Sequence, residues 1–279
     1  MKTKTKRLLI TGVTAAAIFS SFAIPQVRVE ANEFLSLFRV NQLEMVKLTQ
    51  SDISEIENWV RENKAGSLDL AGIGRLEMSE TAGEPMFYET YQSAVEAGYS
   101  VPKLGEYEVE GVSVTPATTI TFTLNVEKAN QLLSQLGSER QFEAALDEQP
   151  FSVSTYDSIQ TDYRLNEQHI RYMRTKSPEI NVPDGISVAE LKSTLLSLPF
   201  LPENVKTQLA DIENIETTLP IPHVEREGST MTEVRVGDAP GFVVESKEDS
   251  YMVWQDNGNI HVIFTQSKMS AEELIDLIK

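Results

Sequence analysis

The sequence predicts an α+β fold: an N-terminal transmembrane or signal helix followed by an antiparallel sheet built of hairpins, with helices packed on one face. Three observations predict it. A basic tip precedes a long uncharged stretch, two hairpin patterns follow one another near the C-terminus, and helical patterns lie scattered among the strand patterns. No internal repeat and no low-complexity linker divides residues 32–279, so they are read as one domain.

The chain of 279 residues opens on Lys2, Lys4, Lys6 and Arg7, and Leu8 to Val27 then carries no charge. That stretch is long enough to cross the hydrocarbon core of a bilayer. Its positive end stays cytoplasmic, so the remainder is exported. Val29 and Ala31 place small residues where signal peptidase cuts. The apolar stretch exceeds a typical signal-peptide core, and Arg28 and Glu30 flank the cleavage position. An uncleaved anchor is therefore expected: residues 1–31 as cytoplasmic tip plus membrane segment at residues 8–27, and residues 32–279 outside. Secretion after cleavage near Ala31 is the alternative.

Beyond residue 31 the chain keeps 19 basic against 41 acidic residues, a net charge of −22. Binding to nucleic acid needs a cationic face, so this balance excludes it. The chain has no cysteine. Zinc–thiolate sites, thiol chemistry and lipoprotein acylation are excluded with it, and the absence fits a Gram-positive envelope without strong oxidative folding. No cofactor motif is present: "AGIGRLEM" holds only Gly-x-Gly, and no phosphate-cradling Gly-x-x-x-x-Gly-Lys occurs.

Along the exported part, "FLSLFRV" reads as a short amphipathic helix or turn leading into the strand "NQLEMVKLT". Asp52 then caps a helix with Ile53, Ile56, Trp59 and Val60 on its apolar face. "GIGRLEM" and "EPMFYETY" read as a strand pair. "YQSAVEAGYSVPKL" is a short helix ended near Gly98. "EYEVEGVSVTPATTITFTLN" is the longest β region, with Thr119, Thr121 and Thr123 on one face and Ile120, Phe122 and Leu124 on the other. A helix from Glu127 to Leu136 ends at Gly137.

Residues 149–183 read as two more strands. "SVAELKSTLLSLPFLPENVKTQLADI" reads as two helices split at Pro199 and Pro202, and "ETTLPIPHVE" as an extended lead into the hairpins. The first hairpin turns within Gly237 to Gly241. The second, "MVWQDNGNIHVIF", turns at Asn257-Gly258, a pair suited to the two positive φ angles of a type I′ turn. Ser270 with Glu273 three residues on forms a capping box for a last helix.

A search for chemistry finds little. His169, His223 and His261 lie far apart with no metal-binding spacing, and His261 reads as the outward residue of a strand. No nucleophile elbow occurs. Glu106, Glu108 and Glu110 alternate along a strand as a solvated edge, and Asp211 to Glu216 reads as a helix end. No catalytic, cofactor or metal residue is assigned. Two sets remain as candidate contacts. Arg171, Tyr172, Arg174 and Lys176 form a basic, aromatic cluster in an acidic chain, suited to a protein partner. Leu198, Phe200 and Leu201, set around two prolines, are a possible apolar contact or part of the core.

Five stretches carry a family resemblance: "FLSLFRVNQLEMVKLT", "SAVEAGYSVPKL", "VTPATTITFTLNVEKANQLLSQLG", "SPEINVPDGISVAELKSTLLSLP" and "MVWQDNGNIHVIFTQSKMSAEELIDLIK". They resemble the extracytoplasmic ectodomains of membrane-anchored Gram-positive and Chloroflexi-type bacterial proteins, which are often attached to cytoplasmic anti-sigma-factor zinc-binding domains. A looser, fold-level resemblance is to lipoprotein-carrier-like sigma regulators with a concave apolar cavity. The resemblance implies a non-enzymatic, membrane-tethered domain that senses or regulates the envelope through a partner protein. The short tip before the apolar stretch departs from the anti-sigma architecture, so regulation would act through a second protein. A carrier for a lipid-like ligand is the first alternative reading and a cell-envelope hydrolase the second.

Overall fold

The computed structural model describes residues 35–39, 42–62, 73–79, 83–135, 137–197, 201–215 and 217–279. The expected leader, residues 1–31, lies outside the described residues. Among the described residues no helix is long and apolar enough to cross a membrane.

The chain runs β1 (Leu35–Arg39), β2 (Gln42–Leu48), α1 (Gln50–Glu62), β3 (Gly74–Met78), β4 (Met86–Tyr88), α2 (Tyr91–Glu96), β5 (Glu108–Thr115) and β6 (Thr119–Leu124). It continues through α3 (Val126–Gln135), β7 (Pro150–Ser154), β8 (Ser158–Leu165), β9 (Gln168–Lys176), β10 (Glu179–Pro183), α4 (Val188–Leu196) and α5 (Glu203–Asp211). It closes with β11 (Thr218–Val224), β12 (Thr230–Val236), β13 (Ala239–Glu245), β14 (Ser250–Asp256), β15 (Asn259–Thr265) and α6 (Ala271–Asp276). The class is mixed α and β, mostly antiparallel, with few helices.

The expected single sheet is instead three. An eight-stranded antiparallel sheet has the order β12-β13-β14-β15-β9-β8-β5-β4. A five-stranded sheet has the order β1-β10-β7-β6-β3, and β2 pairs with β11 in parallel. The main core lies on one face of the large sheet, where Val112, Tyr163, Tyr172, Met252 and Ile263 meet Ala94 of α2 and Leu274 of α6. On the opposite face, β2 and β11 lay Met45, Leu43, Leu219 and Ile221 against Val244, Val253 and Ile260. Both faces of β14 are thus covered, which is why Met252, Val253, Trp254 and Gln255 are all buried instead of alternating. The five-stranded sheet has its own core, where Phe122, Leu124 and Phe151 pack on Val126 and Ala129 of α3 and Leu191 of α4.

Several local expectations hold. β14 and β15 turn at Asn257 and Gly258, with φ of 48° and 73°. Ser270 and Glu273 cap α6 reciprocally. Gly137, after α3, has φ of 77°. α4 and α5 are two helices as read, and α5 ends at Asp211.

Others are corrected. "LSLFR" is strand β1, because its backbone pairs antiparallel with β10, a partner far away in sequence. Asp52 is not the cap itself. Thr49 Oγ1 accepts from the Asp52 amide, and the Asp52 carboxylate accepts from the Thr49 amide and hydroxyl, so Asp52 is the third-position half of a capping box. β3 and β4 do not pair: β3 joins β6 and β4 joins β5, in different sheets. Residues 150–183 form four strands, because an Asn166-centred turn with φ of 56° folds one expected strand into β8 and β9. Glu106 precedes β5. The first closing hairpin turns tightly between Val236 and Ala239, leaving Pro240 and Gly241 inside β13. Gly241 has a packing reason to be there: a Cβ would lie 2.7 Å from the Cβ of Trp254 and from the Val253 carbonyl.

Candidate functional site

The basic cluster of β9 divides between two faces. Side chains alternate along a strand, so Tyr172, Arg174 and Lys176 point to one side and Arg171 to the other. Arg171 donates from Nε to Asp162 at 2.8 Å, an exposed pair. Lys176 lies over the ring of Tyr156, 5.2 Å from its centroid. Tyr172 is buried, and Arg174 sits between Ile159 of β8 and His261 of β15. Leu198 and Phe200 lie outside the described residues, and Leu201 is partly buried just before α5.

Tyr172 and His261 form a polar island at the edge of the main core. The Tyr172 hydroxyl is 2.7 Å from His261 Nδ1, and the imidazole stacks on Trp254 with centroids 4.8 Å apart and planes 9° apart. Burial pushes the Tyr172 phenol up to about 12, a shift Arg174 opposes. Burial likewise pushes the His261 imidazole down to about 4; Arg174 adds to that shift and Asp256 opposes it. The phenol therefore donates, Nδ1 accepts, and the imidazole proton sits on Nε2. His261 is thus not the outward residue that strand alternation suggested. Ile260 and Val262 do face a core, as read, but the other face of β15 is covered as well, so alternation does not turn His261 to water.

A second such pair lies on the opposite face. His223 of β11 is buried with Nδ1 2.9 Å from the Tyr251 hydroxyl, and burial holds its imidazole below the ordinary range. The third histidine is on the surface: His169 Nδ1 is 3.1 Å from Glu110 Oε2, while Arg164 Nε meets Glu110 Oε1 at 2.9 Å. Glu110 is the extra residue of a β-bulge between Val109 and Gly111, which turns it towards those two groups. The acidic run of β5 is therefore neutralised locally at Glu110.

Among the described residues no three His, Asp or Glu side chains converge as metal ligands. A cleft of about 230 Å³ opens between the 140–146 segment and the start of α4, with Phe142, Leu146 and Leu191 below and Arg140, Glu143 and Glu190 at the rim. It falls short of the roughly 300–1,000 Å³ that small-molecule sites enclose.

The feature that sequence reading missed is an exposed apolar edge. Among the described residues β4 is the last strand of the large sheet, pairing with β5 on one side only. Its Phe87 is 67% exposed and Met86 39%. Phe87 leans across Gly111 of β5, where a Cβ would come within 3.0 Å of its ring. On the opposite face, which α2 covers, Tyr91 and Val95 sit one turn apart and are each 39% exposed. α2 is held from beneath by Ala94 in the core and by the Tyr88–Tyr99 ring contact at 5.6 Å. The signal in the sequence is "EPMFYET": three large apolar residues between acids, too short to show a strand period. Comparison with protein-family models, characterised proteins and solved structures finds no match to this chain.

Proposed function

We propose that this chain is a non-enzymatic, extracytoplasmic domain of a membrane-anchored bacterial protein, acting in envelope sensing or regulation by holding a partner protein. The observation that carries the reading is the exposed apolar edge of the large sheet, with Met86 on one face of β4 and Phe87 on the other. Large apolar side chains left in water at the edge of a sheet mark a contact surface. Aromatic and Met side chains are those enriched at such contacts. The acidic chain speaks for a protein partner rather than nucleic acid. The resemblance to anchored ectodomains and the basic tip with its apolar stretch supply the membrane part of the proposal.

The test is crosslinking in living cells with a tag after Lys279, followed by mass spectrometry of what is captured. Recovery in the membrane fraction with a membrane regulator or anti-sigma protein is the expected result. Recovery from the medium with lipid and no protein overturns the reading in favour of a carrier.

A further inference from the structure

We infer that β4 is a docking edge for an extended segment of a partner protein, a short apolar run with a Lys or Arg at each end. The inference rests on the partner-holding function proposed above and names the chemistry of the partner.

Three features of the edge converge. Among the described residues β4 has a hydrogen-bonded neighbour on one side only, which leaves the other side of its backbone open to an added strand. Side chains on both faces of the strand are apolar and exposed. Met86 lies on the face of Val114 and Phe87 on the face of Ser113, so an added strand finds an apolar contact above and below its plane. No inward-pointing charge or bulge blunts the strand itself, the usual protection of an edge. Charge is instead placed at its two ends, Glu84 and Glu89, both exposed. Among the described residues neither is engaged by a Lys or Arg.

Those two carboxylates decide the occupant. A second copy would pair antiparallel about Phe87, and that register brings Glu84 of one copy within one residue of Glu89 of the other. Like charges facing each other across strands repel, and the chain as a whole carries a charge of −18. An anionic membrane surface is disfavoured for the same reason. A strand with cations at both ends reverses the sign of each contact. Glu84 and Glu89 are about 17 Å apart along an extended chain, so the partner's basic residues stand four to six positions apart with apolar residues between. Either strand direction satisfies the two acids.

The test uses the full-length tagged chain in the cells that make it, with Phe87 replaced by the photocrosslinker p-benzoylphenylalanine. A control carries the same group at Glu233, an exposed position on β12 at the far edge of the large sheet. The expected result is an adduct at position 87 and not at 233. Its partner peptide, read by mass spectrometry, holds a short apolar run between Lys or Arg residues four to six apart. Adding Glu84→Lys and Glu89→Lys should cut the adduct by about thirtyfold, since two favourable exposed contacts become two unfavourable ones of similar size. The thermal midpoint should not change. No adduct above the control, an adduct to lipid or to a second copy, a partner peptide without flanking cations, or indifference to the charge reversal each overturns the inference. A partner captured by general crosslinking but never at position 87 leaves the proposed function standing and removes only this edge.

Discussion

The hydroxyl of Tyr172 on β9 donates to Nδ1 of His261 on β15 across 2.7 Å, although neither residue is the other's direct cross-strand partner. Tyr172 stands opposite Ile263, and His261 stands opposite Arg174 and Trp254. The diagonal bond keeps a neutral imidazole at the rim of the core, and it sets the acid behaviour of the fold.

His261 binds its proton at about pH 4 when folded and near 6.5 when unfolded. The unfolded chain therefore holds more protons between those values, and stability falls as the pH drops from about 6.5 to about 4. The expected loss is on the order of 1–3 kcal/mol. His223 contributes with the same sign, because its imidazole is also depressed. Chemical denaturation at a series of pH values should show this slope. His261→Gln should flatten part of it, and an unchanged slope in that variant would contradict the assignment.

Gly241→Ala should destabilise the large sheet. The new Cβ has no room beside Trp254 and the Val253 carbonyl, so β13 and β14 must part. Overpacking of this kind costs about 1–3 kcal/mol. The denaturant midpoint should fall and the fluorescence of Trp254 should shift, whereas Gly83→Ala, whose Cβ would meet only Pro116 at an ordinary 3.5 Å, should leave both alone.

Asp52→Ala should loosen α1 and α5 together. Its carboxylate accepts from the Thr49 amide and hydroxyl and from Asn204 Nδ2 of α5 at 2.8 Å. Burial raises its pKa, but these hydrogen bonds outweigh burial and hold it below the usual carboxylate value. Losing the cap and the link to α5 should cost about 1–2 kcal/mol. Hydrogen exchange should speed up in both helices, and acceleration confined to α1 would show that Asn204 adds nothing.

Lys192→Met should free the end of α5. The ammonium of Lys192, on α4, donates to the carbonyls of Ala210 and Ile212 at 2.8 and 2.7 Å. It thereby satisfies carbonyls that the last helical turn leaves unpaired. A loss of about 1 kcal/mol is expected, with faster exchange at the C-terminal turn of α5. Lys192→Arg, which keeps a donor and the charge, should restore most of it.

What the sequence shows well is whatever depends on near neighbours. Asn257-Gly258, Ser270 with Glu273, and Gly137 after α3 each act within a few residues, and each is found in place. What it hides depends on partners far along the chain. Nothing in "LSLFR" announces β10, and nothing in Leu219, Ile221 and their prolines announces a parallel pairing with β2. Pro220 and Pro222 fit there because β11 has a single neighbour. His261 was misplaced for a related reason: alternation tells the inside of a strand from the outside only when one face meets water. The apolar edge at Phe87 escaped because the sequence does not show which strand ends a sheet.

The pairing of β2 with β11 has a kinetic consequence. Gln42 and Thr218, the first pair of that ladder, are 176 residues apart, and β1 waits likewise for β10. Closing so long a loop is slow. As the chain is made from its N-terminus, each closing hairpin can form as soon as it emerges, but β1 and β2 stay unpaired until β10 and β11, most of the domain later, have followed them. The strands synthesised first are thus among the last to settle. During that interval the apolar side chains of β2 that later meet Val244, Val253 and Ile260, Leu43 and Met45 among them, have no shield from water.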